Sequence, residues 1–357
     1  MHIDPADPIL LVGDAYARGR AQALCGEPLI AAVQSAIDTR LARAAPLLEK
    51  PSVRAFLLEQ SRLLETLDPE SAAEVAGLAD GFERPFDTIL AYLHLGILAD
   101  FATDGCSAWS WTASASAGPI LVKNRDYRGE HAALQRVFLH RDPDRPGKAV
   151  LCVGSLGSPG AFSSGMNARG FALVDTHVAT RDHGPGLLRY FLMTRLLWNC
   201  RTVEEALRVI ADTPHAGGGA IVMADASGSC AAVELGHRTQ SAQISTPYVV
   251  RTNHFLCPER APEGPSTEDG PMGRSTKGRY KRLRMWLEAR AGGPTLAEVA
   301  ALMGGHHDDG EEALCRHGED GDSRTISCAI FAPAELRLYF SSREPCAGEW
   351  NSYECRP

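Results

Sequence analysis

The sequence predicts an α+β fold in which two stacked antiparallel sheets lie between layers of helices. The first 105 residues carry mostly helical periodicity, whereas from Cys106 onward short apolar runs alternate with Gly, Pro, Asn and Asp. In that second part strands come in pairs and helices come in pairs, the order expected when each sheet covers the other on one face and helices on the other. The expected organisation is a helix-rich segment over 1–105 followed by a sheet-rich segment over 106–357.

Taken in order, 9–12 (Ile-Leu-Leu-Val) reads as a short strand, and Gly13-Asp14 then caps a helical run over 16–24. A second amphipathic helix follows Gly26-Glu27-Pro28 to about Leu48, a third spans 52–67, and a fourth opens at Pro69-Glu70. Residues 86–103 are apolar all round and are expected to be a buried helix. Beyond Cys106, strands are expected at 120–123, 149–153, 171–175, 220–224, 231–235, 248–252, 326–331 and 336–340. Helices are expected at 184–199, 203–212, 274–291 and 296–303, with Pro/Gly/charge-rich loops at 258–276 and 304–323. Gly217-Gly218-Gly219 precedes a strand rather than joining strand to helix, so it reads as a tight turn and not a phosphate cradle.

With 357 residues and 44% hydrophobic content, the chain can bury a sizeable core. A net charge of -8 and the absence of a basic run with interleaved aromatics argue against a nucleic-acid surface and leave a small molecule as the expected ligand. The start, Met-His-Ile-Asp-Pro-Ala-Asp-Pro, lacks the regions of a secretory signal, and no apolar stretch is long enough to span a bilayer, so a cytoplasmic chain without a membrane partner is expected. Ten cysteines are spread without a CxxC pair, which fits small buried hydrophobes in a reducing compartment rather than a disulfide framework. The Ala-, Arg- and Gly-rich composition is that of GC-rich bacteria and fits a role in specialised metabolism.

One cysteine stands apart. Cys106 follows Asp104-Gly105 at the junction of the two compositions. Its thiol can attack the carbonyl before it if the backbone bends sharply, and glycine at 105 adopts such conformations at least cost. Cleavage there would free the Cys106 α-amine, whose reference pKa of about 7.7–8.0 lets it take the thiol proton near neutrality and act as a base within the same residue. The other reading of Cys106 is an ordinary buried cysteine at a helix end.

Several separated stretches, in order, resemble one family. They are Gly13-x-x-Tyr16-x-x-Gly19, Asp104-Gly105-Cys106, Asn124-Arg125-Asp126-Tyr127, Gly165-Met166-Asn167-x-x-Gly170, Thr252-Asn253-His254-Phe255, Cys315-Arg316-His317 and Glu344-Pro345-Cys346. Together they resemble the acyl-coenzyme A:isopenicillin N acyltransferase family of N-terminal-nucleophile hydrolases, with penicillin V acylase and bile-salt hydrolase as more distant relatives. The resemblance implies a four-layer αββα sandwich and a self-cleaving precursor whose small and large subunits stay together. It also implies an enzyme that hydrolyses or transfers the acyl group of a small-molecule amide or thioester. No cofactor is implied; a coenzyme A thioester would enter as an acyl-donor substrate.

Residue by residue, Gly105-Cys106 resembles the cleavage site and Cys106 the nucleophile. Asp126 resembles the carboxylate that holds the new α-amine, and Asn253 the oxyanion-hole amide. Arg324 resembles the late arginine near the nucleophile, its other reading being a surface charge. Lys123 stands where bile-salt hydrolases carry arginine, keeping the charge without the bidentate fork. Asp175-Thr176-His177 stands where many members have asparagine. Arg125, Tyr127, His177 and His254 are further candidates for the pocket, and His177 or His254 would be the base if Cys106 worked as an internal thiol without self-cleavage. A third reading is a non-catalytic binding protein on the same fold. His306-His307-Asp308-Asp309 with Cys315 and His317 offers metal-ligand types, but the spacings fit no standard zinc pattern, so no metal site is expected.

Overall fold

The computed structural model describes residues 1–98, 105–112, 118–127, 129–260, 271–307, 312–318 and 323–357. Asp104, the 99–103 end of the fifth expected helix, Asp308, Asp309 and most of the 258–276 loop lie outside the described residues. The chain runs through β1 (His2–Pro5), β2 (Ile9–Val12), α1 (Ala15–Ala21), α2 (Glu27–Leu48), α3 (Pro51–Leu67), α4 (Pro69–Gly81) and α5 (Phe86–Leu98). Then come β3 (Gly105–Trp111), β4 (Ile120–Tyr127), β5 (Gln135–Arg141), β6 (Ala149–Ser155), β7 (Ser164–Asn167), β8 (Phe171–Thr176), α6 (Arg189–Asn199) and α7 (Val203–Ala211). The remainder is β9 (Ala220–Asp225), β10 (Cys230–Leu235), β11 (Gln240–Ile244), β12 (Tyr248–Arg251), α8 (Pro271–Glu288), α9 (Leu296–Met303), β13 (Arg324–Ala332), β14 (Arg337–Ser341) and β15 (Glu349–Glu354).

The expected helix starts follow from capping chemistry. Asp14 accepts the Ala17 N–H at 2.8 Å and opens α1, Asp68 accepts from Ser71 and opens α4 ahead of Pro69, and Thr295 with Glu298 forms a capping box on α9. The turn at 217–219 is a run of three glycines with φ of 93°, 86° and 88°, a left-handed path that side chains resist.

The strands form two sheets. One has seven strands in the order β1-β15-β14-β13-β4-β3-β12, and the other eight in the order β11-β10-β9-β8-β7-β6-β5-β2. Side-chain alternation then decides the layers. Ala108, Leu121, Phe331 and Phe340 of the first sheet meet Leu151, Val174, Val222 and Ala232 of the second in a core between the sheets. The opposite face of the first sheet, with Trp109, Trp111, Val122 and Ile330, packs on Leu283 and Leu287 of α8 and Val299 and Met303 of α9. The outer face of the second sheet packs on residues of α2, α4, α5, α6 and α7. The result is the expected αββα sandwich.

The N-terminal segment is less purely helical than its sequence suggests. Besides β2, which pairs in parallel with β5, it supplies β1, which pairs in parallel with β15. The acidic, Pro-broken stretch of β1 carries no apolar run because all four of its residues are exposed at a sheet edge. β11 and β15 were equally hidden from a hydrophobic pattern, reading QSAQI and EWNSYE. In the Gly165-Met166-Asn167-x-x-Gly170 motif the first three residues belong to β7 and the turn runs from Asn167 to Gly170; the Asn167 carboxamide oxygen closes it by accepting from the Arg169 and Phe171 N–H groups. Among the described residues no helix is long and apolar enough to cross a membrane.

Candidate active site

Strand pairing brings the first part of the site together. β3 and β4 pair antiparallel with Gly105 opposite Asp126 and Cys106 opposite Arg125, while on the other side of β4 Thr325 of β13 stands opposite Asp126. Asp126 thus lies between Gly105 and Thr325 across three neighbouring strands. Its Oδ1 accepts from Thr325 Oγ1 at 2.7 Å. Its Oδ2 lies 3.6 Å from Arg316 Nη1, is fully buried, and has no hydrogen bond among the described residues. A buried carboxylate oxygen left without a donor is costly, so this atom is a marked feature of the interior.

Gly105 is glycine for a reason other than the expected one. It is part of a regular strand and is not among the glycines with positive φ. Space excludes a side chain: a Cβ there would sit 2.6 Å from Arg316 Nη1 and 2.7 Å from Asp126 Oδ2.

Asn253 joins the site from the loop after β12. Its Oδ1 accepts the Cys106 backbone N–H at 2.9 Å, and its Nδ2 donates to the His177 carbonyl at 2.8 Å. That orientation is fixed by Arg279 of α8, which the sequence reading missed. Arg279 Nη2 donates to Asn253 Oδ1 at 2.9 Å, and Nη1 donates to the Cys106 carbonyl and, at 2.9 Å, to Ser107 Oγ. Burial lowers the Arg279 pKa and the Asp126 charge pulls it back up. Thr276, one turn earlier on α8, holds the same loop by accepting from the Asn253 N–H at 2.7 Å.

Cys106 is 6% exposed and lines a cavity of about 50 Å³. The sheet side of the wall includes Lys123, Arg125, Asp126, Tyr127, Asp175 and His177; Arg189 and Tyr190 come from α6. Arg40 of α2 and Tyr92, Leu93 and Gly96 of α5 close it from the N-terminal segment. This space suits a water molecule or two, against ~300–1,000 Å³ for ordinary ligand pockets. Its wall is electropositive, with four cationic side chains (Arg40, Lys123, Arg125, Arg189) against two carboxylates. Lys123 Nζ donates to Asp175 Oδ1 and to Ser163 Oγ at 3.0 Å, and Arg189 Nε donates to Asp175 Oδ2 at 2.6 Å. Burial by itself would raise the Asp175 pKa, but the two cations outweigh it and hold the carboxyl below its usual range. Burial also opposes the Arg189 charge, and Tyr190, Asp175 and Cys106 outweigh that and raise its pKa. Arg125 is braced by Gln135 Oε1 at 3.0 Å and lies over the Tyr127 ring.

The remaining sequence candidates fall elsewhere. The His254 ring bonds Thr276 Oγ1 and Thr252 Oγ1 and meets Tyr280 edge-on; burial, with Arg279, Lys277 and Arg251 nearby, lowers its pKa to about 4. Arg324 is 43% exposed along its side chain and faces Glu344 at 3.9 Å, so the arginine beside Asp126 is Arg316. Arg316 lies in the Cys315-Arg316-His317 motif, whereas no local pattern marks Arg279 in its charged helix. All ten cysteines are free, and burial raises Cys200 and Cys230 to about 11 and Cys355 to about 12, keeping them as thiols.

Two stacked sheets between helical layers define the N-terminal-nucleophile hydrolase fold class, and here a cysteine near the start of β3, an aspartate near the end of β4 and an asparagine just after β12 lie close together. Within it, the chain belongs to the acyl-coenzyme A:6-aminopenicillanic acid acyl-transferase family, whose sequence profile matches residues 113–346. The matched span holds Asp126, Asn253 and Arg324 and begins after Cys106. No individual curated protein matches the chain by sequence. Among solved structures, a variant of conjugated bile acid hydrolase from Clostridium perfringens superposes with a TM-score of 0.50 at 13% identity, over 70% of this chain and 92% of that one. A second mutant of that hydrolase gives 0.48 at 13% identity, over 69% and 92% of the two chains. Penicillin V acylase from Agrobacterium tumefaciens gives 0.44 at 17% identity, over 66% and 82%.

Proposed function

We propose that the chain cleaves itself between Gly105 and Cys106 and then uses the Cys106 thiol to hydrolyse or transfer the acyl group of a small-molecule amide or thioester. The observation that carries this reading is the buried Asp126 Oδ2 beside Gly105, which faces the Arg316 guanidinium at 3.6 Å but accepts no hydrogen bond among the described residues. Cleavage adds water across the Gly105–Cys106 amide, creating a Gly105 carboxylate and a Cys106 α-amine. That amine is the donor Asp126 Oδ2 lacks, and Asn253 Oδ1 already accepts from the same nitrogen.

In turnover the α-amine takes the thiol proton and the sulfur attacks the substrate carbonyl carbon. The oxyanion forms among Asn253 and the cationic wall, where preorganised donors stabilise developing charge. The C–N or C–S bond then breaks, the leaving group takes the proton from the α-ammonium, and water or an acceptor amine resolves the thioester. The chemistry uses only the chain's own groups; a coenzyme A thioester would enter as an acyl-donor substrate and coenzyme A would leave as the thiol. The excess of cations around the cavity supports substrates that carry a carboxylate. Because Arg40, Tyr92 and Leu93 line the cavity, the N-terminal segment would contact the bound substrate.

The test is intact mass under denaturing conditions for the purified protein and for Cys106→Ala. By residue share the 38.4 kDa chain would give fragments of about 11 and about 27 kDa in the first and one full-length mass in the second. One full-length mass in both refutes self-cleavage. Retained cleavage and turnover in both His177→Ala and His254→Ala further separates this mechanism from an internal cysteine–histidine pair.

A further inference from the structure

We propose that His306, Cys315, His317 and Cys346 bind one Zn(II) ion as a tetrahedral Cys2His2 site that holds the loops behind Asp126 together. His306 follows α9, Cys315 and His317 belong to the loop before β13, and Cys346 sits in the turn Pro345–Ala347 before β15. Their ligand atoms all lie within 4.8 Å of one another.

The pattern of contacts points to a cation. His317 Nε2 lies 3.1 Å from His306 Nε2, 3.6 Å from Cys315 Sγ and 3.3 Å from Cys346 Sγ. A neutral imidazole nitrogen has one hydrogen or one lone pair, so it can serve one of these three partners by hydrogen bonding. A shared central ion satisfies all of them at once. With Zn–N of about 2.0–2.1 Å and Zn–S of about 2.3 Å, tetrahedral geometry puts two nitrogens ~3.3 Å apart and nitrogen and sulfur ~3.6 Å apart, close to what is seen. Two thiolates and two imidazoles in this arrangement select zinc.

The frame around the four side chains is well braced. Leu314 and Cys315 both donate their N–H to the Gly305 carbonyl at 3.0 Å. Arg282 Nη1 donates to the His306 carbonyl at 2.7 Å, and Asn124 Nδ2 of β4 donates to the Met303 and Leu314 carbonyls at 2.8 Å. The sequence conceals the site because His306 and Cys346 lie 11 and 29 residues from His317, outside compact zinc-finger spacing. Cys315 and His317 flank Arg316, so the ion clamps the chain on both sides of the guanidinium that stands 3.6 Å from Asp126.

The experiment is metal analysis of the full-length protein, purified under reducing conditions without chelator, by elemental mass spectrometry and by zinc release to a chromophoric chelator on thiol modification. About one zinc per chain is expected for the native protein and for Cys25→Ser, a cysteine remote from the cluster. Cys346→Ser and His306→Gln alter exposed side chains and are expected to weaken zinc binding by roughly tenfold or more with native circular dichroism. Cobalt(II) added to metal-free protein should give the visible bands of tetrahedral, thiolate-bound cobalt, lost in Cys346→Ser. The proposal is overturned if the native protein stays zinc-free after addition of ZnCl2, if both variants bind zinc as the native protein does, or if Cys315 and Cys346 are recovered as a disulfide. These readouts do not depend on self-cleavage or turnover.

Discussion

Gly105→Ala tests the geometry around the scissile bond most directly. The added methyl carbon would sit 2.6 Å from Arg316 Nη1, 2.7 Å from Asp126 Oδ2 and 3.1 Å from Asp126 Cβ. Ordinary contact distances begin near ~3.5 Å, so each polar group must retreat by roughly 0.8 Å. Arg316 can do so, being long and partly exposed, but Asp126 is fully buried, lies within β4 and is tied to Thr325. Since the backbone at 105 lies outside the left-handed region, alanine brings no conformational strain of its own and the cost is that of overpacking, about 1–3 kcal/mol. At about 1.36 kcal/mol per factor of ten, displacement of Asp126 from the amide should slow self-cleavage by about 5- to 150-fold. The assay is a time course of fragment masses after pulse expression, with unfolding midpoints measured for Cys106→Ala and for the Gly105→Ala, Cys106→Ala double variant. The double variant should be less stable by the same 1–3 kcal/mol or so. Wild-type cleavage together with unchanged stability would refute the claim that glycine is needed here for space.

Asp126→Asn should lower kcat/KM by about 100-fold or more, and the acid limb of its pH–rate profile should move to lower pH, because the α-ammonium loses the anion that stabilises it. Arg279→Lys keeps the charge but cannot reach Cys106 O, Ser107 Oγ and Asn253 Oδ1 together, so kcat should fall about 10- to 100-fold while far-ultraviolet circular dichroism stays native. Asp175→Asn strands Lys123 and Arg189 as buried charges and should cost about 3–5 kcal/mol in urea denaturation at pH 7. His94, buried and accepting at Nε2 from the Gln60 amide, has its pKa lowered from 6.5 to about 4 by burial. Its unfolded form binds the proton first, so the stability it confers is complete above pH 6.5 and lost as pH falls toward 4. From pH 7 to pH 5 this amounts to about 2 kcal/mol, and His94→Gln should flatten the urea-midpoint profile over that interval by the same amount.

The parts of the fold that a hydrophobic pattern can report were legible, and the rest were not, for identifiable reasons. Runs such as 149–153 and 220–224 show as strands because they are buried on both faces, and α1, α4 and α9 show because their caps are local chemistry. β1 and β11 bury little, and β15 buries Trp350 and Ser352 without an apolar run, so nothing in their composition separates them from loop. The site divides the same way. Cys106, Asp126 and Asn253 are legible as candidates because they sit in recognisable short motifs. Arg279 was not, since its three acceptors lie as far as 173 residues away in sequence and its neighbours read as a solvated basic helix. For Gly105 the residue was identified but its reason was not, because crowding by Arg316 and Asp126 exists only after three strands have paired.

The two short N-terminal strands bear on what the proposed cut before Cys106 would do to the molecule. β1 lies beside β15 on one sheet and β2 beside β5 on the other, so the first twelve residues close one margin of each sheet. Loss of the small fragment would bare the backbone donors and acceptors of β15 and β5 together, offering ready templates for aggregation. On the proposed cleavage the small fragment would stay bound over these edges, and the large fragment made alone should precipitate unless the small one is supplied with it.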